Sequence, residues 1–212
     1  MISLKPRTYR RAAAVTFAAV ATAAIALASL AQPSRADVAT KAAIGQAAPS
    51  FSLPNVASGA TESLSSLLQG KKGAVVLFIA TKCPVSNDYN ERMAALAKTY
   101  TARGFAFAGI NSNVAESTAE CAAHARDNKL SFSVLKDAGN VVADAYGATK
   151  TPEAYIIDAK GVLVYHGRID NSRDLADVRT HDLSDALDNV LAGKTIAQAE
   201  TKAFGCSIKR AH

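Results

Sequence analysis

The most constraining feature of the sequence is a continuous apolar run, Ala74–Ala80 (AVVLFIA), that leads almost directly into Cys83 and Pro84. A run of this length, rich in β-branched side chains, is typical of a strand buried on both faces. Apolar side chains then recur at near-helical spacing at Tyr89, Met93, Leu96 and Tyr100. Pro84 suits a first helical turn and Gly104 suits a helix end. The pattern predicts a central strand followed by a helix that begins at Cys83.

The rest of the chain alternates between strand and helix patterns. After an extended lead-in ending at Pro54, the predicted elements are a strand at Phe105–Ile110, a helix from about Glu116 to Asn128, strands at Ser131–Leu135, Ala154–Asp158 and Val162–Gly167, and helices at Val141–Tyr146 and Leu183–Ala192. The last two strands form a hairpin across the turn at 159–161. This order predicts one α/β domain, with a central mixed sheet flanked by helices.

The first 36 residues differ from the rest. A basic start through Arg11 precedes an uncharged apolar run, Ala12–Ala31, and a short polar stretch that ends at Ala36. This is the layout of a secretory signal peptide. We expect residues 1–36 to be a signal peptide, residues 37–212 to form the folded domain with a C-terminal tail, and the protein to be periplasmic or secreted. A membrane anchor is the alternative, because the run is long enough to span a bilayer.

The charge of the chain depends on this division. The formal net charge is +6, yet residues 1–36 hold five basic residues and no acidic ones, so the remaining 176 residues carry 19 basic and 18 acidic side chains. A near-neutral domain argues against nucleic acid as a partner. The hydrophobic content of 49% excludes a disordered chain. Three cysteines are too few for a disulfide-rich scaffold.

Cys83 is the strongest candidate for chemistry. At the carboxyl end of a buried strand and the start of a helix, main-chain N–H groups and the helix dipole stabilise an anion. Both effects lower the pKa of a thiol and raise its reactive thiolate fraction. Lys82 adds a nearby positive charge, and Thr81 and Ser86 supply hydroxyls for the sulfur or a substrate oxygen. The alternative is a buried, inert cysteine.

The other two cysteines have different surroundings. Cys206 lies in an apolar-flanked part of the polar tail, and if the tail folds over Cys83 it can resolve a sulfenic acid or a mixed disulfide formed there. A permanent structural disulfide and a free tail thiol are the alternatives. Cys121 lies among alanines on a predicted helix, which indicates a silent core residue. Cys121 and His124 share a helix face, but two ligands alone are weak evidence for a metal, so we predict neither metal nor cofactor.

Four segments together resemble a known family. They are Ile44–Leu53 (IGQAAPSFSL), the strand with Cys83-Pro84, Thr151-Pro152 before a strand, and Phe204–Arg210 (FGCSIKR). Across roughly residues 42–210 they resemble the thioredoxin-like redoxins, and within them the peroxiredoxin-like branch named for alkyl hydroperoxide reductase and thiol-specific antioxidant. The resemblance implies a thioredoxin-like fold, with Pro152 at the position of the family's cis-proline beside the active cysteine.

The sequence also departs from the family's motifs. Cys83-Pro84-Val85-Ser86 ends in serine, so the paired CxxC of thioredoxins is absent. Val76 and Ala80 stand where true peroxiredoxins carry the proline and threonine that precede the active cysteine, with Thr81 one residue later. No motif identifies the arginine that this family uses on peroxides. Arg168 is a candidate, and a solvated strand-end arginine is the alternative.

The resemblance implies an antioxidant oxidoreductase that reduces a peroxide, or a protein or small-molecule disulfide, and the signal-peptide pattern implies that it is exported. Its expected catalytic residues are Cys83, Cys206, Thr81 and Pro152. Its expected substrate-positioning residues are Pro84, Ser86, Thr151 and Arg168. An external thiol would be the reductant. The alternatives are a non-catalytic copper- or partner-binding module, a monothiol disulfide exchange protein, and a structural protein with a fixed Cys83–Cys206 bridge.

Overall fold

A computed structural model of the chain describes residues 1–3 and 41–211. Except for its first three residues, the expected signal peptide lies outside the described residues and stays a prediction. The chain divides into two units, Met1–Arg35 and Ala36–His212, and the fold described below belongs to the second. In the described part of the chain, no helix is both long and apolar enough to cross a membrane.

The folded unit is built from short strands and helices in alternating order. The strands are β1 (Ser52–Pro54), β2 (Thr61–Ser63), β3 (Gly73–Phe78), β4 (Phe105–Asn111), β5 (Ser133–Lys136), β6 (Lys150–Thr151), β7 (Glu153–Asp158), β8 (Leu163–Gly167) and β9 (Cys206–Ser207). The helices are α1 (Leu64–Leu68), α2 (Pro84–Asp88), α3 (Asn90–Thr101), α4 (Thr118–Asp127), α5 (Val141–Tyr146) and α6 (Asp182–Leu191), with a 3-10 turn at Leu175–Asp177.

The central sheet is mixed, as the sequence predicts. Its five strands lie in the order β5-β4-β3-β7-β8. Strand β3 is parallel to β4, and β4 is parallel to β5. Strand β7 is antiparallel to both β3 and β8, so the predicted hairpin forms one side of the sheet. All six residues of β3 are buried, which confirms the interpretation of the apolar run.

The core lies on both faces of this sheet. Because side chains alternate along a strand, Val75 and Leu77 of β3 pack in one apolar cluster with α3, α4 and α6. Val76 and Phe78 pack in the other cluster with α1 and α5. Helices on both faces bury β3 completely, and Cys83 follows shortly after its carboxyl end.

The helix predicted after Cys83 is divided into α2 and α3 at Tyr89. The Tyr89 hydroxyl donates to Asp170 (2.7 Å), and the Arg92 guanidinium lies 3.7 Å from the centre of the Tyr89 ring. The apolar spacing continues through both helices, so the division is invisible in the local pattern.

Two further regions differ in detail from the sequence prediction. The lead-in is not only extended: β1 pairs with β2, and α1 begins with a capping box between Ser63 and Ser66. Helix α4 begins after Ser117, whose side chain forms a capping box with Glu120, rather than at about Glu116. Both boxes satisfy main-chain N–H groups at a helix start that would otherwise lack partners.

Candidate functional site

Cys83 is the residue that caps the N-terminus of α2, directly after β3. Its sulfur accepts a hydrogen bond from the Ser86 N–H (3.3 Å), and Pro84 occupies the first turn of the helix, as predicted. The Cys83 side chain is 3% exposed. Helix α2 has only five residues, so the direct Ser86 N–H bond, more than the dipole of a long helix, is the contact that favours a negative sulfur.

The segment around Pro152 lies against this sulfur. The Thr151-Pro152 peptide bond is cis, as the resemblance implies. The Thr151 carbonyl oxygen is 3.4 Å from the Cys83 sulfur. The Thr151 side-chain oxygen is buried and has no hydrogen-bond partner among the described residues. Thr151 and Pro152 therefore lie beside Cys83, as the sequence predicts.

The tail brings Cys206 to Cys83. Strand β9 pairs with β6 in antiparallel register, with Cys206 opposite Thr151. The two cysteines form a disulfide with a Cα–Cα distance of 5.9 Å across 123 residues of sequence. Gly205 has a φ of +137°, and a side chain at this position would collide with the Thr151 carbonyl oxygen. The approach of the tail therefore requires glycine before Cys206.

Glu116 is a site residue that the sequence analysis did not identify. Its buried carboxylate accepts hydrogen bonds from the N–H groups of Thr81 (2.8 Å) and Lys82 (3.0 Å) and from the Asn111 side chain (2.6 Å). Burial opposes ionisation, but these hydrogen bonds outweigh it and hold the pKa of Glu116 below its ordinary value. Glu116 thus holds the segment that leads into Cys83.

Ser86 and Lys82 act differently from expectation. The Ser86 hydroxyl oxygen accepts from the Ala80 N–H (3.2 Å), so Ser86 serves the sulfur with its main chain rather than its hydroxyl. The Lys82 ammonium donates to Glu120 (2.8 Å) and to the Ala115 carbonyl oxygen (3.0 Å). The charge of Lys82 is therefore directed to a carboxylate on α4.

Arg168 lies at the end of β8 and contacts α6. Its guanidinium donates to both carboxylate oxygens of Asp182 (2.9 and 3.1 Å). Arg168 is not among the residues that line the cavity beside the Cys83–Cys206 disulfide. The structure thus brings together Thr81, Cys83, Pro84, Ser86, Thr151, Pro152 and Cys206, and pairs Arg168 with Asp182 elsewhere.

The disulfide lies in a recess of about 310 Å³. Its lining includes Lys82, Cys83, Asn113, Glu116, Cys206 and Lys209. Cys206 is partly exposed whereas Cys83 is buried, so the tail cysteine is the more accessible residue of the pair. A larger cavity of about 580 Å³, between α3 and α6, shares no lining residue with this recess.

Cys121 lies on α4 in the core and is the remaining described cysteine. Burial raises the pKa of Cys121 to about 11, so at about pH 8 only about one molecule in a thousand carries the thiolate. We expect iodoacetamide to leave Cys121 unmodified in the native, oxidised protein and to modify it after unfolding, as read by peptide mass spectrometry. The residual native labelling should rise with pH toward the pKa. Fast labelling at neutral pH would contradict a silent core residue.

The histidine beside Cys121 is engaged in hydrogen bonds. His124 contacts the side chains of Asn90 (3.3 Å) and Asn128 (3.2 Å). Within the described ranges, no group of three or more His, Cys, Asp or Glu side chains is arranged to hold a metal ion.

The chain resembles one protein family and several solved structures. The model of the AhpC/TSA family matches residues 44–166. A hypothetical protein from Sinorhizobium meliloti 1021 is 34% identical, with a TM-score of 0.75 over 81% of this chain and 97% of the other. An uncharacterized conserved protein from Geobacillus kaustophilus is 31% identical, with a TM-score of 0.75 over 80% and 93%.

A more distant structure shares the fold. Peroxidoxin BcpB from Mycobacterium tuberculosis is 19% identical, with a TM-score of 0.55 over 73% of this chain and 99% of the other. No curated protein matches the chain. The sequence-based expectation of a thioredoxin-like fold is confirmed.

Proposed function

The chain belongs to the AhpC/TSA family of thioredoxin-like redoxins, and from this premise we propose that it is an exported antioxidant oxidoreductase that cycles between a Cys83–Cys206 dithiol and disulfide. The observation that carries the proposal is the disulfide itself, which joins the cysteine at the end of β3 to the tail beside the cis-proline segment. An oxidising compartment outside the cytoplasm suits such a pair.

Cys83 is the proposed nucleophile. Once the disulfide is reduced, the Ser86 N–H that now contacts its sulfur remains in place to stabilise the thiolate. Glu116 occupies the Thr81 and Lys82 N–H groups, which leaves the Ser86 N–H as the main-chain donor for the sulfur. A stabilised thiolate is both an attacking group and a good leaving group.

The oxidative half of the cycle consumes the substrate. The Cys83 thiolate attacks one oxygen of a peroxide, the O–O bond breaks, and Cys83 becomes a sulfenic acid while hydroxide or alkoxide leaves. The Cys206 thiol then attacks the Cys83 sulfur, the disulfide forms, and water leaves. With a disulfide substrate, the Cys83 thiolate attacks one sulfur, the substrate S–S bond breaks and one thiolate leaves. Cys206 then attacks the Cys83 sulfur of the mixed disulfide and the second thiol leaves.

The reductive half uses an external thiol. Because Cys206 is the more exposed residue of the pair, the external thiolate attacks the Cys206 sulfur, and Cys83 leaves as the thiolate held by the Ser86 N–H. A second external thiol then releases Cys206 and carries away the oxidised product as a disulfide.

Thiol–disulfide exchange without peroxide reduction is the second candidate. It is favoured by the lining of the recess, in which the cations are Lys82 and Lys209 and no arginine is present among the described residues. The unpartnered Thr151 hydroxyl would then be the polar side chain beside Cys83 for a peroxide oxygen.

The experiment that tests the proposal follows the oxidation state of Cys83. We expect the reduced Cys206→Ser variant to form a dimedone-reactive sulfenic acid at Cys83 with equimolar hydrogen peroxide, and the wild type to form the Cys83–Cys206 disulfide instead. The Cys121→Ala variant is the control and should behave as the wild type. Oxidation by glutathione disulfide but not by peroxide would favour the second candidate, and resistance to both would indicate a structural bridge.

A further inference from the structure

The loop between β4 and α4 contacts the segments that carry both cysteines. At one end, Glu116 accepts the N–H groups of the two residues before Cys83. At the other, the side-chain oxygen of Asn113 accepts the Lys209 N–H (2.8 Å), three residues after Cys206. One short loop therefore connects the two halves of the redox pair without involving their sulfurs.

Asn140, directly before α5, holds the same part of the tail. Its side-chain oxygen accepts the Ala211 N–H (3.0 Å), and its side-chain nitrogen lies 3.4 Å from the Lys209 carbonyl oxygen. The Val114 N–H also donates to the Lys209 carbonyl oxygen (3.1 Å). Asn113 and Asn140 are 4% and 2% exposed. Asn140 has a φ of +60°, a conformation that asparagine tolerates better than most residues.

A buried lysine, Lys136, donates hydrogen bonds to the loop between β4 and α4. The Lys136 ammonium donates to the Asn111 side chain (2.9 Å) and to the Asn113 carbonyl oxygen (2.7 Å). Asn111 in turn donates to Glu116. We call this set of connected side chains the polar bracket; its members are Asn111, Asn113, Glu116, Lys136 and Asn140.

We propose that the polar bracket keeps the tail docked beside Cys83 after the disulfide is reduced, and that Asn113 and Asn140 are positioning residues for Cys206. This inference rests on the proposed redox cycle. Contacts outside the bracket act in the same direction: Ile208 is buried, and its N–H donates to the Thr149 carbonyl oxygen (3.0 Å).

Docking in the dithiol state has a chemical consequence. Two thiols held close together react as an intramolecular pair with a high effective concentration. Cys206 can therefore attack the Cys83 sulfenic acid, and water can leave, without a prior movement of the tail. The tail residues around Lys209 should be as ordered in the reduced protein as in the oxidised protein.

Amide hydrogen exchange of the full chain tests the proposal directly. We expect each of the Ile208, Lys209 and Ala211 amides to exchange at rates within about tenfold of each other in the oxidised and reduced wild type, because their acceptors are unchanged. The amides of β3 serve as the internal reference for global stability. If reduction alone raises tail exchange to that of an unstructured peptide while β3 stays protected, the proposal is wrong.

Variants of the two asparagines show whether the bracket is responsible. The Asn113→Ala/Asn140→Ala double variant removes three hydrogen bonds to the tail. Each bond is equivalent to about a fivefold change in the equilibrium between docked and undocked tail, so tail exchange in the reduced protein should rise roughly hundredfold. In the oxidised variant the disulfide limits the rise. A merely structural role would raise exchange equally in both states, and so would overturn the proposal.

Two further variants keep the test interpretable. Asn113→Asp retains the acceptor for the Lys209 N–H and should preserve tail protection. If the double variant fails to fold, Asn113→Ala alone replaces it and should raise tail exchange in the reduced protein about fivefold. Asn189→Ala on α6 is the matched control, because the Asn189 side chain makes no hydrogen bond with the described residues, and it should leave tail exchange unchanged. The readout requires no turnover, so a failure of the redox proposal and a failure of the bracket are distinguishable.

Discussion

The Cys83→Ser variant should lose oxidoreductase turnover by about 10³-fold or more. A serine hydroxyl is neutral near pH 7 and cannot replace the thiolate as nucleophile or as leaving group. Serine preserves the size of the side chain and can still accept the hydrogen bond from the Ser86 N–H that caps α2. The measurement is the steady-state rate of peroxide or disulfide reduction with a thiol as electron donor.

The matched control for this loss is Cys206→Ser. Both variants lack the disulfide, but only Cys206→Ser retains the proposed nucleophile, so it should give one rapid oxidation of Cys83 followed by slow turnover. Cys83→Ser should give neither phase. Turnover in Cys83→Ser comparable to that of the wild type would contradict the assignment of Cys83 and move the chemistry to Cys206.

Reduction of the disulfide should lower the free energy of unfolding by ~4–5 kcal/mol. The bridge closes a loop of 123 residues, and in the chain-entropy account such a long loop restricts the unfolded chain strongly. The expected result is a shift of the urea midpoint between oxidised and reduced protein with little change in slope. The native tail should stay docked in both states, because the effect acts on the unfolded chain.

The two serine variants provide the control for this second effect. Cys83→Ser and Cys206→Ser should lose similar amounts of stability, and a reducing agent should have no further effect on either. A midpoint for the reduced wild type equal to that of the oxidised protein would mean that the bridge does not restrict the unfolded chain. A far larger loss would mean that native contacts, the polar bracket among them, depend on the bridge.

Much of the central sheet can be predicted from the sequence because burial on both faces leaves a local mark. The apolar run at β3 and the turn between β7 and β8 can each be recognised from a local pattern of about ten residues. The lead-in hairpin β1–β2 lacks such a mark, since its strands are only three residues long. Its pairing depends on neighbours that the sequence does not identify.

The site divides in the same way. By itself, the sequence determined the position of Cys83 between a buried strand and a helix, and the resemblance it carries indicated the cis bond at Pro152. The pairing of Cys206 with Cys83, the contacts of Glu116 and the pairing of Arg168 with Asp182 were decided only by tertiary structure. The reason is physical: a hydrogen bond or disulfide between residues far apart in sequence creates no periodic pattern, and only folding brings its partners within reach.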